Sequence, residues 1–98
     1  MTFTTILKMI KLVWDASFKR SYKKKLSNDI LLKKKFWEAI RLFSQNPFDS
    51  RLKTHKLSGK LHGLWAFSVD YDNRIVFKFT ENELEVLLID IGTHDEVY

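Results

Sequence analysis

The apolar residues of this sequence change their period once, close to residue 50, and that change limits the folds open to it. Before it, Phe18, Tyr22 and Leu26 recur at i, i+4 and i+8, and Leu32, Phe36, Ala39, Ile40 and Phe43 form a second stripe at helical spacing. After it, the stretches LWAFSVDY (64–71), RIVFKF (74–79) and LEVLLIDI (84–91) are dense in β-branched and aromatic residues and read as three strands. Helices first and strands afterwards predict an α+β fold in which the two kinds of structure form separate layers.

Local signals supply the order. KMIKLVW (8–14) reads as a short first strand, and Asp15 or Ser17 can cap the helix that follows. Ser27 or Asn28 ends that helix and caps the next, which Asn46-Pro47 stops, because proline disfavours helical geometry in the residue before it. Two helices joined so tightly form an antiparallel hairpin. Asp72-Asn73 and Thr80-Glu81-Asn82-Glu83 are hairpin-compatible joints, so the sheet is expected to be antiparallel there. In the middle strand Ile75, Phe77 and Phe79 share the face that would seat the helices. Arg74, Val76 and Lys78 take the other face, where Arg74, Lys78 and the end of the last strand can meet. The expected fold is β-α-α-β-β-β, an antiparallel sheet with a two-helix hairpin on one face, and 98 residues make it one domain, 1–98.

Composition removes several chemistries. Without cysteine there is no disulfide framework, zinc-thiolate site or cysteine nucleophile. Three scattered histidines, with no His-x-x-x-His helix, make no metal-ligand set, and no phosphate-binding loop, nucleophile elbow or dinucleotide fingerprint is present. No cofactor is therefore expected. Lys8 and Lys11 interrupt the apolar start, and no small-residue cleavage pattern follows, so a soluble, cytoplasmic protein with no membrane partner is expected. Charge is uneven: residues 1–50 carry 11 Lys/Arg against 4 Asp/Glu, residues 51–78 carry 6 against 2, and residues 79–98 carry none against 6. The basic part fits either a polyanion partner or a solvated lysine surface.

HKLSGKLHGLWAFSVDYDNRIVFKF (55–79), followed by IGTHDEVY (91–98), resembles the RelE/ParE superfamily of bacterial toxins from type II toxin–antitoxin operons. The likeness rests on an ordered set: His55-x-Leu57-x-Gly59, a tryptophan strand, an Arg-Ile-Val-Phe strand and a terminal Gly-Thr-His. The ending is similar to the YafQ-type branch, with a histidine past the last strand and an aromatic residue four positions later. The resemblance implies an endoribonuclease that cuts messenger RNA in the ribosomal A site, contacts ribosomal RNA, and is silenced by a cognate antitoxin. Two other readings stand beside it. One is a ParE-like inhibitor of DNA gyrase, a branch that lacks the histidine ending; the other is a non-catalytic basic RNA-binding module.

Metal-free RNA cleavage needs a base for the ribose 2′-hydroxyl, an acid for the departing 5′-oxygen and cations for the charge on phosphorus. Histidine titrates near working pH and suits either proton role. His94 is the first candidate, with Asp95 and Glu96 beside it favouring the protonated ring; His55, matched to an active-site histidine of the branch, is either a second acid/base or a loop-orienting residue. Arg74 is the candidate phosphate cation, unless Asp70 or Asp72 pairs with it, and Asp72 itself matches an acidic position of the branch. Tyr98 can stack on an unpaired base. Lys53, Lys56 and Lys60 around His55, with Lys78 on the face of Arg74, can hold RNA through its phosphates. Two positions depart from the branch: Ser68 stands where it carries histidine and Asn73 where it carries tryptophan.

Overall fold

A computed structural model describes residues 10–81 and 85–98. The elements run β1 (Lys11–Trp14), α1 (Ala16–Leu26), α2 (Ile30–Gln45), β2 (His55–Lys56), β3 (Trp65–Ser68), β4 (Asn73–Phe79), β5 (Glu85–Thr93) and α3 (His94–Val97). Residues 8, 9 and 82–84, which the sequence assigns to the first strand and the last hairpin, lie outside the described residues.

Both long helices, α1 and α2, start on an aspartate. The Asp15 carboxylate accepts from the Ser17 backbone N–H at 3.1 Å, and that of Asp29 accepts from the Leu32 N–H at 2.9 Å. The second cap is therefore one residue beyond the expected Ser27 or Asn28; Ser27 instead closes α1. Asn46 ends α2 with its N–H on the Leu42 carbonyl, and its side chain takes the Phe48 N–H, which turns the chain at Pro47.

The sheet order is β1-β5-β4-β3-β2. As expected, β3, β4 and β5 form antiparallel pairs; β1 joins the sheet parallel to β5, a pairing that local periodicity does not specify. β3 stops at Ser68, short of the expected residue 71, because Asp70 folds the next residues into a turn: its Oδ1 accepts from the backbone N–H groups of Asp72 and Asn73 and from the Asn73 amide. A bulge interrupts β4–β5 between Val76 and Phe77.

Both helices cover one face of the sheet, where Phe18, Leu26, Phe36, Phe43, Phe67, Ile75, Phe77, Val86 and Leu88 are buried. Within that core Phe43 stacks on Phe67 with ring centroids 4.4 Å apart, and Phe77 meets Phe43 edge-on at 4.9 Å. Toward β1, Trp14, Phe18, Tyr22 and Phe36 form a second ring cluster, with centroid separations of 4.9 to 6.1 Å. The rings fasten α2 to β3 and β4, and α1 to β1. Among the described residues no helix is long and apolar enough to cross a membrane.

A domain of this size is stable by only about 5–15 kcal/mol, and emptying a fully buried ring site costs about 3–5 kcal/mol. Phe67→Ala is expected to lose about 3–5 kcal/mol, seen as a lower urea midpoint with the denaturant slope unchanged, and equilibrium unfolding followed by circular dichroism measures both.

Candidate active site

Three neighbouring strands place the central cation. Cross-strand partners share a face of the sheet, and Arg74 has Ser68 on one side and Gly92 on the other. Both neighbours are small, so the guanidinium has room above the sheet. It makes no hydrogen bond or ion pair among the described residues, because Asp70 is engaged in its own turn. The Asp72 carboxylate likewise has no partner among the described residues. One row along the same face, Ala66 of β3 pairs with Val76 of β4 and with His55 of β2, so His55 lies on the Arg74 side of the sheet. Its Nδ1–H donates to the Lys53 carbonyl at 2.9 Å, which fixes the tautomer and leaves Nε2 outward.

Lys53 has φ 53°, a left-handed backbone that costs a non-glycine residue about 1–2 kcal/mol. The preceding turn buries Leu52 and delivers Lys53 outward. Arg51, in the same turn, is forked onto Asp49 through Nε at 2.9 Å and Nη2 at 2.8 Å, and this pair holds the Asp49 carboxyl down at about 2.

The end of the chain is a built structure. Thr93 and Glu96 form a reciprocal capping box, in which the Thr93 N–H donates to Glu96 Oε1 at 2.8 Å. Glu96 also pairs with Lys25 of α1, and the ammonium first, then the Thr93 N–H, holds its carboxyl down at about 2. Because that value lies below the ordinary 4.5, the cap is complete above pH 4.5 and is lost only as pH falls toward 2. The Tyr98 N–H closes the turn on the His94 carbonyl at 3.0 Å, and the two rings meet edge to face with centroids 4.5 Å apart. Burial raises the Tyr98 phenol above its ordinary value against the opposing charge of Arg74, so the ring is neutral at physiological pH. With Glu96 turned toward α1, Asp95 is the carboxylate beside His94, its Oδ1 3.5 Å from Nδ1.

These parts surround an open cavity of about 650 Å³. Its walls bring together four of the residues singled out in the sequence: His94, Arg74, Asp72 and Lys53. Tyr98 stands behind His94 and does not line the cavity. Lys56, 5.5 Å above the Trp65 ring, belongs to a separate hollow with His62, and Lys60 lies in the turn at Gly59–Leu61. Lys78 is exposed opposite Leu87 and does not line Arg74's cavity, because three residues of strand and the bulge lie between them. Two wall residues are absent from the sequence reading, Arg51 and Tyr71. Arg51 belongs to the basic run RLKTHK, a usable signal; Tyr71, 93% exposed, is recognisable only once the Asp70 turn sets it on the rim. No three His, Cys, Asp or Glu residues gather as a metal site among the described residues.

The capped end needs Gly92. A methyl group there would sit 2.9 Å from Glu96 Oε1 and 3.1 Å from both Glu96 Cβ and Val97 Cγ1. Gly92→Ala is expected to cost about 1–3 kcal/mol by overpacking, concentrated in the last turn. Hydrogen exchange should show the Tyr98 amide losing protection while the β4 amides keep theirs.

Residues 10–98 match the profile of the family described as bacterial toxin of type II toxin–antitoxin system, YafQ. Among curated proteins no sequence matches significantly. Solved structures share the fold. A YoeB/ParE toxin from Agrobacterium tumefaciens is 25% identical with a TM-score of 0.73, covering 87% of this chain and 99% of its own. YafQ from E. coli strain BL21(DE3) is 16% identical with a TM-score of 0.65, over 91% of this chain and 98% of its own. The YoeB–YefM complex from Staphylococcus aureus contains a chain 19% identical with a TM-score of 0.69, over 87% of this chain and 97% of its own. With 89 of its 98 residues inside the family profile, the chain belongs to the YafQ family of bacterial toxins of type II toxin–antitoxin systems.

Proposed function

We propose that the chain is an endoribonuclease that cuts messenger RNA on the ribosome by attack of the ribose 2′-hydroxyl on the adjacent phosphorus. The observation that carries this reading is one cavity walled by an exposed histidine and by an arginine that makes no ion pair among the described residues. A guanidinium without a carboxylate partner is a ready fork for phosphate oxygens.

In this mechanism the phosphate docks on Arg74, with Lys53 adding charge, and the cations stabilise the charge that develops on phosphorus. The new bond joins the 2′-oxygen to phosphorus, and the bond to the 5′-oxygen breaks. His94 donates a proton to that leaving oxygen, with the Asp95 carboxylate 3.5 Å from its Nδ1. The base that takes the 2′-hydroxyl proton is His55, which stands on the same face of the sheet but outside the cavity wall, its ring oriented by the Lys53 carbonyl. The His55 reading thus unites the two roles its sequence position allows. Products are a 2′,3′-cyclic phosphate and a 5′-hydroxyl. Tyr98 braces the His94 ring edge to face, and Tyr71 on the rim offers a surface for an unpaired base. Asp72, without a partner among the described residues, can accept from a base amino group.

Exposed Lys19, Lys23, Lys24, Lys34 and Lys35 on the helices supply the sequence-blind attraction that ribosome-bound RNA requires. An antitoxin silences the chain by laying an acidic segment over its basic surface, a partnership in keeping with the YoeB–YefM complex among its structural neighbours. The cytoplasm, where translating ribosomes are, is the place of action.

Brief induction in cells, followed by mapping of new messenger 5′ ends, tests this. Cuts within translated frames are expected for the wild type and none for His94→Ala or Arg74→Ala. Tyr98→Phe should keep most cutting and Tyr98→Ala should lose it, since the ring and not the hydroxyl does the bracing. Growth arrest with intact messages in both wild type and His94→Ala would replace the nuclease with a gyrase-type target.

A further inference from the structure

Three side chains on one stripe of α1, at i, i+4 and i+8, reach the far end of the sequence. Ser17 Oγ donates to the Ile89 carbonyl at 2.6 Å, Ser21 Oγ donates to Asp90 Oδ1 at 2.6 Å, and Lys25 Nζ pairs with Glu96. The partners follow β5 through its bulge and into α3, which carries His94. Lys23 and Lys24 beside them are exposed, whereas the Lys25 side chain keeps only 24% of its surface. Charge composition groups Lys25 with its neighbours, as either RNA contacts or a solvated lysine surface; its geometry separates it from them.

We propose that Lys25 is a positioning residue of the active site: through Glu96 it locks the terminal turn against α1 and so sets the His94 ring at the cavity wall. The proposal deepens the nuclease reading and rests on it for its catalytic consequence. Glu96 has two tasks, since its Oε1 receives the Thr93 N–H while Oε2 receives Lys25. The cap alone would hold the turn helical, but a four-residue helix packed beside a glycine has little side-chain surface to fix where it sits. The ion pair supplies that fixed point, and the two serine hydrogen bonds keep the supporting strand in register with the same helix. Lys25 does not line the cavity, so in this role it acts through Glu96 and His94.

The role is separable from phosphate binding by a double-mutant cycle on purified toxin. Lys25→Met breaks the pair, and Glu96→Gln breaks it while keeping an acceptor for the Thr93 N–H. The assay is single-turnover cleavage of messenger RNA on programmed ribosomes, read beside the His94 ring signals and the His94–Tyr98 contacts by NMR. Each single variant is expected to slow cutting at saturating ribosomes roughly tenfold or more, as displacement of a reacting group does. The half-saturating concentration should stay unchanged, the double variant should be no slower than either, and Lys25→Arg should restore the rate. The same variants should shift the His94 signals. A rise in half-saturating concentration for Lys25→Met, with Glu96→Gln silent, would overturn the proposal and make Lys25 an RNA contact. If the wild type cuts no RNA, the NMR arm decides alone: His94 signals displaced in Lys25→Met and Glu96→Gln and restored in Lys25→Arg support the lock, and unmoved signals overturn it.

Discussion

Everything in this structure is fastened to the last strand. β5 is nine residues long and pairs on both sides, parallel with β1 and antiparallel with β4, so its backbone hydrogen bonds join the two ends of the chain. Val86, Leu88 and Ile91 put its apolar side chains under the helices. Its bulge leaves an extra residue, Ile89, without a ladder partner, and the carbonyl freed there receives Ser17. The irregularity thus becomes an attachment point for α1. Past it the strand runs into α3 through Gly92, whose missing side chain lets the terminal turn fold tightly back.

That arrangement accounts for much of the charge asymmetry along the chain. The acidic final segment is partly the internal complement of the basic first one: Glu85 faces Lys11 at 3.9 Å, Asp90 accepts from Ser21, and Glu96 pairs with Lys25. The exposed Lys11–Glu85 pair contributes little to stability. The Glu96 interactions matter for position more than for energy, because they set one turn and one ring. In the cavity wall Arg74 has no carboxylate partner among the described residues, whereas a paired arginine there would be chemically silent. Arg51, forked onto Asp49 in the same cavity wall, shows the contrast.

Much of the fold was legible in order and type. Stripes of apolar residues announced both long helices, β-rich runs announced the three-stranded meander, and Asp15, Ser27 and a proline marked ends. The errors are where two local signals compete: Asp29 outdoes Asn28 as a cap, and Asp70 ends a strand that the apolar run through Val69 and Tyr71 would continue. The site was legible in part. His94, Arg74, Asp72 and Lys53 converge on one cavity, while His55, Tyr98, Lys56, Lys60 and Lys78 stand outside its wall, since a residue in a loop or on a strand carries no local mark of the direction in which its chain turns.

By itself the sequence determined the two long helices and the four longer strands, but not the short β2 or α3, and it determined which face of β4 is apolar and which residue types are available for acid–base work, because each depends on periods and propensities spanning a few residues. Only the tertiary structure decided that β1 lies parallel to β5, that Arg74 goes without a partner among the described residues, and that Lys25 pairs with Glu96. Those are contacts between residues 69 to 74 apart in the cases of Ser21, Lys25 and the β1–β5 ladder. No local pattern encodes such a contact; it exists only once the packed core has brought both ends of the chain to one strand.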